Sequence, residues 1–234
     1  MKILILTDAW HPQVNGVVRT YEHIRDELEN QGHEIKVIGP EDFPRKIALP
    51  FYKEIKLVIL PYKCLKKMIE QFAPDAIHIA TEGPIGWSGR KYCLRKNIPF
   101  TTSYHTHFPH YVAERIANYM PFLRSPVKSI AIKTIRRFHK PATTILIATK
   151  SLEDQLREWK FDNKIRRLTR GVKTDQFSPD GDKIFEETKK PIALYVGRIS
   201  LEKKYRIIFI YGVVRKQGHR RQRPSYGNTK REIS

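Results

Sequence analysis

Gly16 closes the loop Thr7-Asp-Ala-Trp-His-Pro-Gln-Val-Asn-Gly16, which follows the apolar run Lys2-Ile-Leu-Ile-Leu6. After the loop, Val18, Tyr21, Ile24 and Leu28 fall at helical spacing. A glycine at such a junction lets backbone N–H groups and a helix N-terminus face an anion, usually a phosphate. An ordinary strand-to-helix turn, with glycine serving the backbone alone, reads equally well. The loop lacks GxGxxG, so dinucleotide binding gains no support. Glu82, in Thr81-Glu-Gly-Pro-Ile-Gly86, is a carboxylate able to hold hydroxyls or simply to be solvated. His105 and His107 share a loop with no carboxylate cluster beside them, and the chain has no Asp-x-Asp motif, so no metal site is expected. Arg198 and Lys203 alone read as solvated loop cations.

The elements that would position these groups alternate. Lys2–Leu6, Glu34–Gly39, Ile55–Leu60, Asp75–Ala80, Pro99–Tyr104 and Thr144–Ala148 read as strands. Between them, 17–30, 62–72, 87–96, 125–139 and 152–159 read as helices; Gly32 stops the first, Ser125-Pro126 opens the fourth and Ser151 caps the fifth. This alternation predicts an α/β fold: a doubly wound, Rossmann-like parallel sheet with its ligand crevice at the carboxyl ends of the strands. Residues 1–174 form this domain, 175–190 a turn-rich linker, and 191–204 the first strand and loop of a second α/β domain. Residues 205–234 show neither helical nor strand period and read as an aberrant basic tail, poorly ordered.

The chain is 40% hydrophobic, carries no run of membrane-spanning length, and has a net charge of +20. From residue 206 onward, eight basic residues face Glu232 alone, a net +7, so the preceding body carries +13. Such charge favours nucleic acid, anionic lipid or phosphorylated small molecules without choosing among them. Tyr205, Tyr211 and Tyr226 interleave with the tail arginines, but no nucleic-acid-binding module is visible and nucleic acid is not an expected partner. Cys64 and Cys93 show no metal or disulfide pattern, and Met1-Lys2 leads straight into a core strand without a signal peptide. A reduced, cytoplasmic protein is expected.

Five segments then fall in register: Thr7-Asp8…Pro12…Asn15-Gly16-Val17, Glu82–Gly86, Ser103-Tyr-His-Thr-His-Phe-Pro109, Arg170-Gly-Val172…Phe177-Ser-Pro179 and Tyr195-Val-Gly-Arg-Ile-Ser-Leu-Glu-Lys203. Over residues 1 to about 204 the chain resembles the family 4 retaining glycosyltransferases of the two-domain GT-B fold. The nearest subgroup is the GDP-mannose-dependent α-mannosyltransferases and the sulfoquinovosyl and glycolipid transferases. The resemblance implies transfer of a hexosyl group, expected to be mannosyl, from a nucleotide sugar to a glycolipid or glycan hydroxyl, with retention. It places His105 at the reaction centre, where an imidazole can donate or accept a hydrogen bond beside an oxocarbenium-like carbon. It places Gly16 beneath the donor diphosphate, where a side chain would block close approach, and Arg198 and Lys203 on the β-phosphate as charge develops there. Asn15, Glu82 and Arg170 are further candidates for acceptor or sugar contacts. The donor is expected to be GDP-mannose as a substrate, with no cofactor and no metal.

Departures from the family pattern accompany this. Lys173 stands where an acidic residue commonly follows Arg-Gly-Val, and His110 where glutamate often follows Phe-Pro. The family's Glu-x7-Glu region has no counterpart after Glu202, so the chain is expected to be truncated or frameshifted near residue 204 and weakly active or inactive. The alternative is a non-catalytic remnant that binds an acceptor or a membrane. In Pro126–Lys140, Val127, Ile130, Ala131, Ile135 and Phe138 cluster on one face, with Lys133, Arg136, Arg137 and Lys140 on another. With Lys63, Lys66 and Lys67, this basic face is either solvated or docks on an anionic membrane surface, peripheral on the inner face of the cell membrane.

Overall fold

The computed structural model describes residues 1–49, 52–105, 124–169 and 171, all within the unit Met1–Lys173. The expected linker, second domain and tail lie outside the described residues, as do Arg170, Arg198 and Lys203.

Six parallel strands make the central sheet. They are β1 (Lys2–Leu6), β2 (Glu34–Ile38), β5 (Ala76–Ile79), β6 (Phe100–Tyr104), β7 (Thr144–Ile147) and β8 (Lys164–Arg167). Their order is β2-β1-β5-β6-β7-β8, so the winding reverses between β1 and β5, and a ligand crevice belongs at the carboxyl ends of those two strands. This is the doubly wound sheet that the alternating pattern predicts.

β1 shows why an uninterrupted apolar run suits this place. Leu4 and Leu6 join the core under one face while Ile5 joins the core under the other, and a strand covered on both sides has no solvated face to make polar. On the Ile5 side lies α1 (Gly16–Asn30), with Val18 and Tyr21 buried. On the other side lie α2 (Tyr62–Phe72) and α3 (Pro84–Lys96). Then α4 (Arg124–His139) and α5 (Lys150–Glu158) close over β6 and β7 through Ile135, Leu152 and Leu156. Gly32, at φ +82°, ends α1 as expected, a backbone angle glycine adopts without cost.

Several expectations need correction. The apolar run Ile55–Leu60 does not join the sheet. β4 (Tyr52–Val58) instead pairs antiparallel with β3 (Lys46–Leu49), a neighbour close in sequence whose pairing closes only a short loop. Helix α3 begins at Pro84 rather than residue 87, with proline in the first turn where its missing N–H costs nothing. Helix α4 begins at Arg124, so Ser125 lies inside its first turn. Thr149, not Ser151, caps α5: its Oγ1 accepts from the Leu152 N–H at 3.4 Å. On α4, Ile130 is 63% exposed, whereas Ile132, Ile135 and Phe138 pack inward. The buried stripe is therefore rotated from the expected one, because the helix splits its contacts between two cores.

Candidate functional site

The site is built where β1, β5 and β6 end. Asp8 follows β1, and its carboxylate accepts from the Thr81 hydroxyl at 2.9 Å and from the N–H groups of Ile85 and Gly86 at 2.9 and 3.2 Å. Thr81 Oγ1 in turn accepts from the Asp8 N–H at 2.7 Å. One side chain thus caps α3 from a strand distant in sequence, placing an anion at the positive end of the helix. Burial pushes the Asp8 carboxyl above its ordinary value, against the pull of the Ile85, Thr81 and Gly86 donors. The two glycines of Glu82-Gly-Pro-Ile-Gly86 are sterically demanded. A Cβ on Gly83 would lie 2.3 Å from Asp8 Cγ, and one on Gly86 would lie 1.9 Å from the Thr81 carbonyl oxygen.

A second layer lies on the α1 side of the sheet. Thr101, Ser103 and His105 recur at period two along and just beyond β6, so they share that face. His78 of β5 sits in register with Thr101, and its Nδ1 is 2.7 Å from Thr101 Oγ1. The Tyr21 hydroxyl donates to Ser103 Oγ at 2.7 Å and lies 2.7 Å from His78 Nε2. It is also 3.2 Å from His105 Nε2, and the Tyr21 and His105 rings meet edge-on at 5.5 Å. Burial, seconded by the charge of His105, pushes His78 down to about 3, so its imidazole is neutral. With Tyr21 donating to Ser103, the two imidazole contacts at the Tyr21 oxygen are met when His78 carries its proton on Nε2 and both His78 and His105 donate to that oxygen. His105 therefore stands on a buried polar pedestal that sets the direction of its ring. A recess too tight for a water molecule lies beside it, lined by Thr20, Ser103, Ile147, Ala148 and Leu168.

A third group lies on the opposite face. His139, fully buried at the end of α4, has Nδ1 at 2.8 Å from Thr102 Oγ1 and Nε2 at 3.2 Å from Glu82 Oε1. The Glu82 side chain is 26% exposed. It is therefore a carboxylate oriented by a buried histidine rather than a freely solvated one.

Of the sequence candidates, Gly16, Asn15, Glu82 and His105 come to the carboxyl end of the sheet, on or beside the loops after β1, β5 and β6. Asn15 is the N-cap of α1, accepting from Val17 and Val18 N–H at 2.9 and 3.0 Å, so two donors that an anion above Gly16 would use are taken internally. Tyr21, His78, Asp8 and His139 are not among the sequence candidates for the site, although Asp8 stands in the first motif and Tyr21 in the helical spacing after it. Their signal was available: His78 interrupts the apolar strand Ala76–Ile79, and Tyr21 falls on the inward face of α1. Among the described residues no group of three His, Cys, Asp or Glu is placed to hold a metal ion, and no helix is long and apolar enough to cross a membrane.

The neutral His78 gives a pH prediction. The unfolded chain binds a proton that the folded chain refuses, so stability is fully present above the ordinary histidine value of 6.5 and is lost as pH falls toward about 3. Urea unfolding across that window is expected to show a slope of up to about 1.4 kcal/mol per pH unit from this group. The His78→Gln chain should show a shallower slope; an unchanged one would contradict the neutral assignment.

Residues 14–176 match Glycosyltransferase Family 4. The α-monoglucosyldiacylglycerol synthase of Acholeplasma laidlawii is 26% identical over 230 residues, covering 87% of this chain and 57% of the relative. The sulfoquinovosyl transferase SQD2 of Arabidopsis thaliana is 26% identical over 206 residues, 82% of this chain and 36% of the relative. A GDP-mannose-dependent α-mannosyltransferase of Mycobacterium tuberculosis is 24% identical over 225 residues, 87% and 57%. The chain thus spans about half the length of these relatives or less. Among solved structures, a sucrose-phosphate synthase from Thermosynechococcus elongatus aligns with TM-score 0.42 and 17% identity, over 74% of this chain and 90% of that one.

Proposed function

The chain belongs to glycosyltransferase family 4, and from that premise we propose that it serves hexosyl transfer from a nucleotide sugar to a glycolipid or glycan hydroxyl, with retention. The observation that supports this reading is the seating of His105 at the end of β6, its Nε2 3.2 Å from a Tyr21 hydroxyl that is itself fixed by His78 and Ser103. A ring whose direction is set before substrate arrives meets a developing charge without reorganising.

In this reading His105 interacts with the reacting sugar as its anomeric carbon gains oxocarbenium character. Glu82, oriented by His139, accepts from a hydroxyl of the acceptor or the sugar. Gly16 leaves room for the diphosphate, Asn15 and Arg170 serve acceptor or sugar contacts, and Arg198 and Lys203 steady the departing β-phosphate. The donor is proposed to be GDP-mannose, with no metal in the step. The relatives named for glucosyl, sulfoquinovosyl and mannosyl transfer make the sugar the first variable to test.

The test is a transfer screen of the purified chain: GDP-mannose, UDP-glucose and UDP-sulfoquinovose against diacylglycerol, glycolipid and free-glycan acceptors, with radiolabelled product separated by extraction. At most weak transfer from GDP-mannose to a lipid acceptor is expected, in keeping with a chain that lacks the family's Glu-x7-Glu region. Acceptor binding with no turnover from any donor would replace this reading with a non-catalytic binding domain.

A further inference from the structure

Gln13 lies on the loop between β1 and α1, is only 7% exposed, and has both atoms of its amide engaged. Its Nε2 donates to the Asp8 carbonyl at 3.3 Å, and its Oε1 accepts from Asn15 Nδ2 at 3.3 Å. The partners at the two ends fix the direction of this chain. Asn15 Oδ1 is taken by the Val17 and Val18 N–H groups, which leaves its Nδ2 for Gln13, and the Asp8 carbonyl can only accept. Beyond that carbonyl the chain continues through the Asp8 side chain. The carboxylate accepts from Thr81, Ile85 and Gly86, and the Asp8 N–H donates to Thr81, so the loop that carries Glu82 is held on both sides of it.

The two ends lie on opposite faces of the sheet. Asn15 caps α1 on the Ile5 side, whereas Ile85 and Gly86 open α3 on the side of Leu4 and Leu6. The hydrogen-bonded chain therefore crosses the carboxyl end of β1, beside its neighbour β5, where the winding reverses. A glutamine this deep offers the core no packing that a leucine would not. Its amide costs free energy in burial unless both atoms are paired, and here both pairings serve the loop.

We propose that Gln13 and Asp8 are positioning residues, a buried strut that fixes the separation between Asn15-Gly16 and Glu82. The assignment rests on the transfer reading, in which Gly16 faces the donor diphosphate and Glu82 a hydroxyl of the acceptor or sugar. The strut then sets the register of two bound groups while touching neither. Transfer between two molecules depends on that register, since a misplacement of about 1 Å can cost about 10²-fold in rate.

Two measurements on the whole chain test it. The first is amide hydrogen exchange by NMR, read at the end of the strut remote from each substitution. Gln13→Leu, close in volume, should speed exchange of the Ile85 and Gly86 N–H groups ~10-fold, although Gln13 is no part of their hydrogen bonds. Asp8→Asn should do the same at Val17 and Val18, which bond to Asn15. The control is Asn163→Ala, which loses contacts to the His139, Lys140 and Ala142 carbonyls. Studied in enough urea to match the stability of the other two, it should move all four amides less than ~3-fold. The second measurement is steady-state transfer. Gln13→Leu should lower kcat ~10-fold or more, with KM for donor and for acceptor each within ~3-fold, because each loop still meets its own substrate. Exchange changes confined to the substituted loop, changes matched by Asn163→Ala, or a kinetic loss carried wholly by one KM would each overturn the proposal. A wild-type chain without turnover would sink the transfer reading alone, and the exchange result would still decide the strut.

Discussion

A His105→Ala chain is expected to lose hexosyl transfer by about 10²–10³-fold while its melting temperature moves by no more than a few degrees. The asymmetry follows from where the residue sits. His105 is only partly buried, at the rim of the pedestal, and its Nε2 contact to Tyr21 is the longest of the hydroxyl's hydrogen bonds at 3.2 Å, against 2.7 Å to both His78 and Ser103. Removing it leaves Tyr21 still bonded inside. Tyr21→Phe separates the roles in the opposite sense. It strips the hydroxyl from beneath three polar partners and leaves buried His78 and Ser103 short of one, at a cost of about 1–3 kcal/mol. As a positioning change it should lower kcat more than it raises KM, and with a smaller total loss than His105→Ala. Steady-state kinetics alongside urea unfolding read both quantities. Near-wild-type transfer by His105→Ala would remove the residue from the reaction centre.

Gly86→Ala is expected to destabilise the domain by about 3–5 kcal/mol. Glycine to alanine inside a helix ordinarily stabilises by about 1 kcal/mol, so the prediction is one of sign. At Gly86 the added Cβ would meet the Thr81 carbonyl oxygen at 1.9 Å and its carbon at 3.0 Å. That neighbour is backbone of the loop after β5 and has no rotamer to change. Relief requires moving the first turn of α3 off the sheet, which breaks the hydrogen bonds from Ile85 and Gly86 to Asp8. Asp8→Asn, keeping the shape but losing the charge, is expected to cost less, about 1–2 kcal/mol. Urea unfolding of the two variants tests this, and a stabilised Gly86→Ala chain would show that the loop yields.

Much of this was legible because central strands announce themselves. Lys2–Leu6, Ala76–Ile79 and Thr144–Ile147 are short, mostly apolar runs, which burial on both faces favours. β8 was missed for the converse reason. It is an edge strand, Lys-Ile-Arg-Arg, with a single apolar residue to signal it. The β3–β4 hairpin was missed because an apolar run says that a segment is extended, not which partner it takes. In the site, His105 and Glu82 were found through the motifs around them, while the groups that hold them were not. Tyr21 reaches residues 57, 82 and 84 positions away, and His139 reaches Glu82 across 57. Such contacts are set by strand order, which the sequence of any one segment does not carry. What it does carry is the two-residue period of β6. Thr101, Ser103 and His105 face α1, and Thr102 and Tyr104 face α4, so a polar strand this deep in a sheet implies partners on both sides.

The anomeric configuration of the product tests the central claim most directly. When the chain is incubated with an α-linked nucleotide sugar and a lipid acceptor, proton NMR of the extracted glycolipid should show the α-anomer. A β-linked product would contradict a retaining transfer at His105.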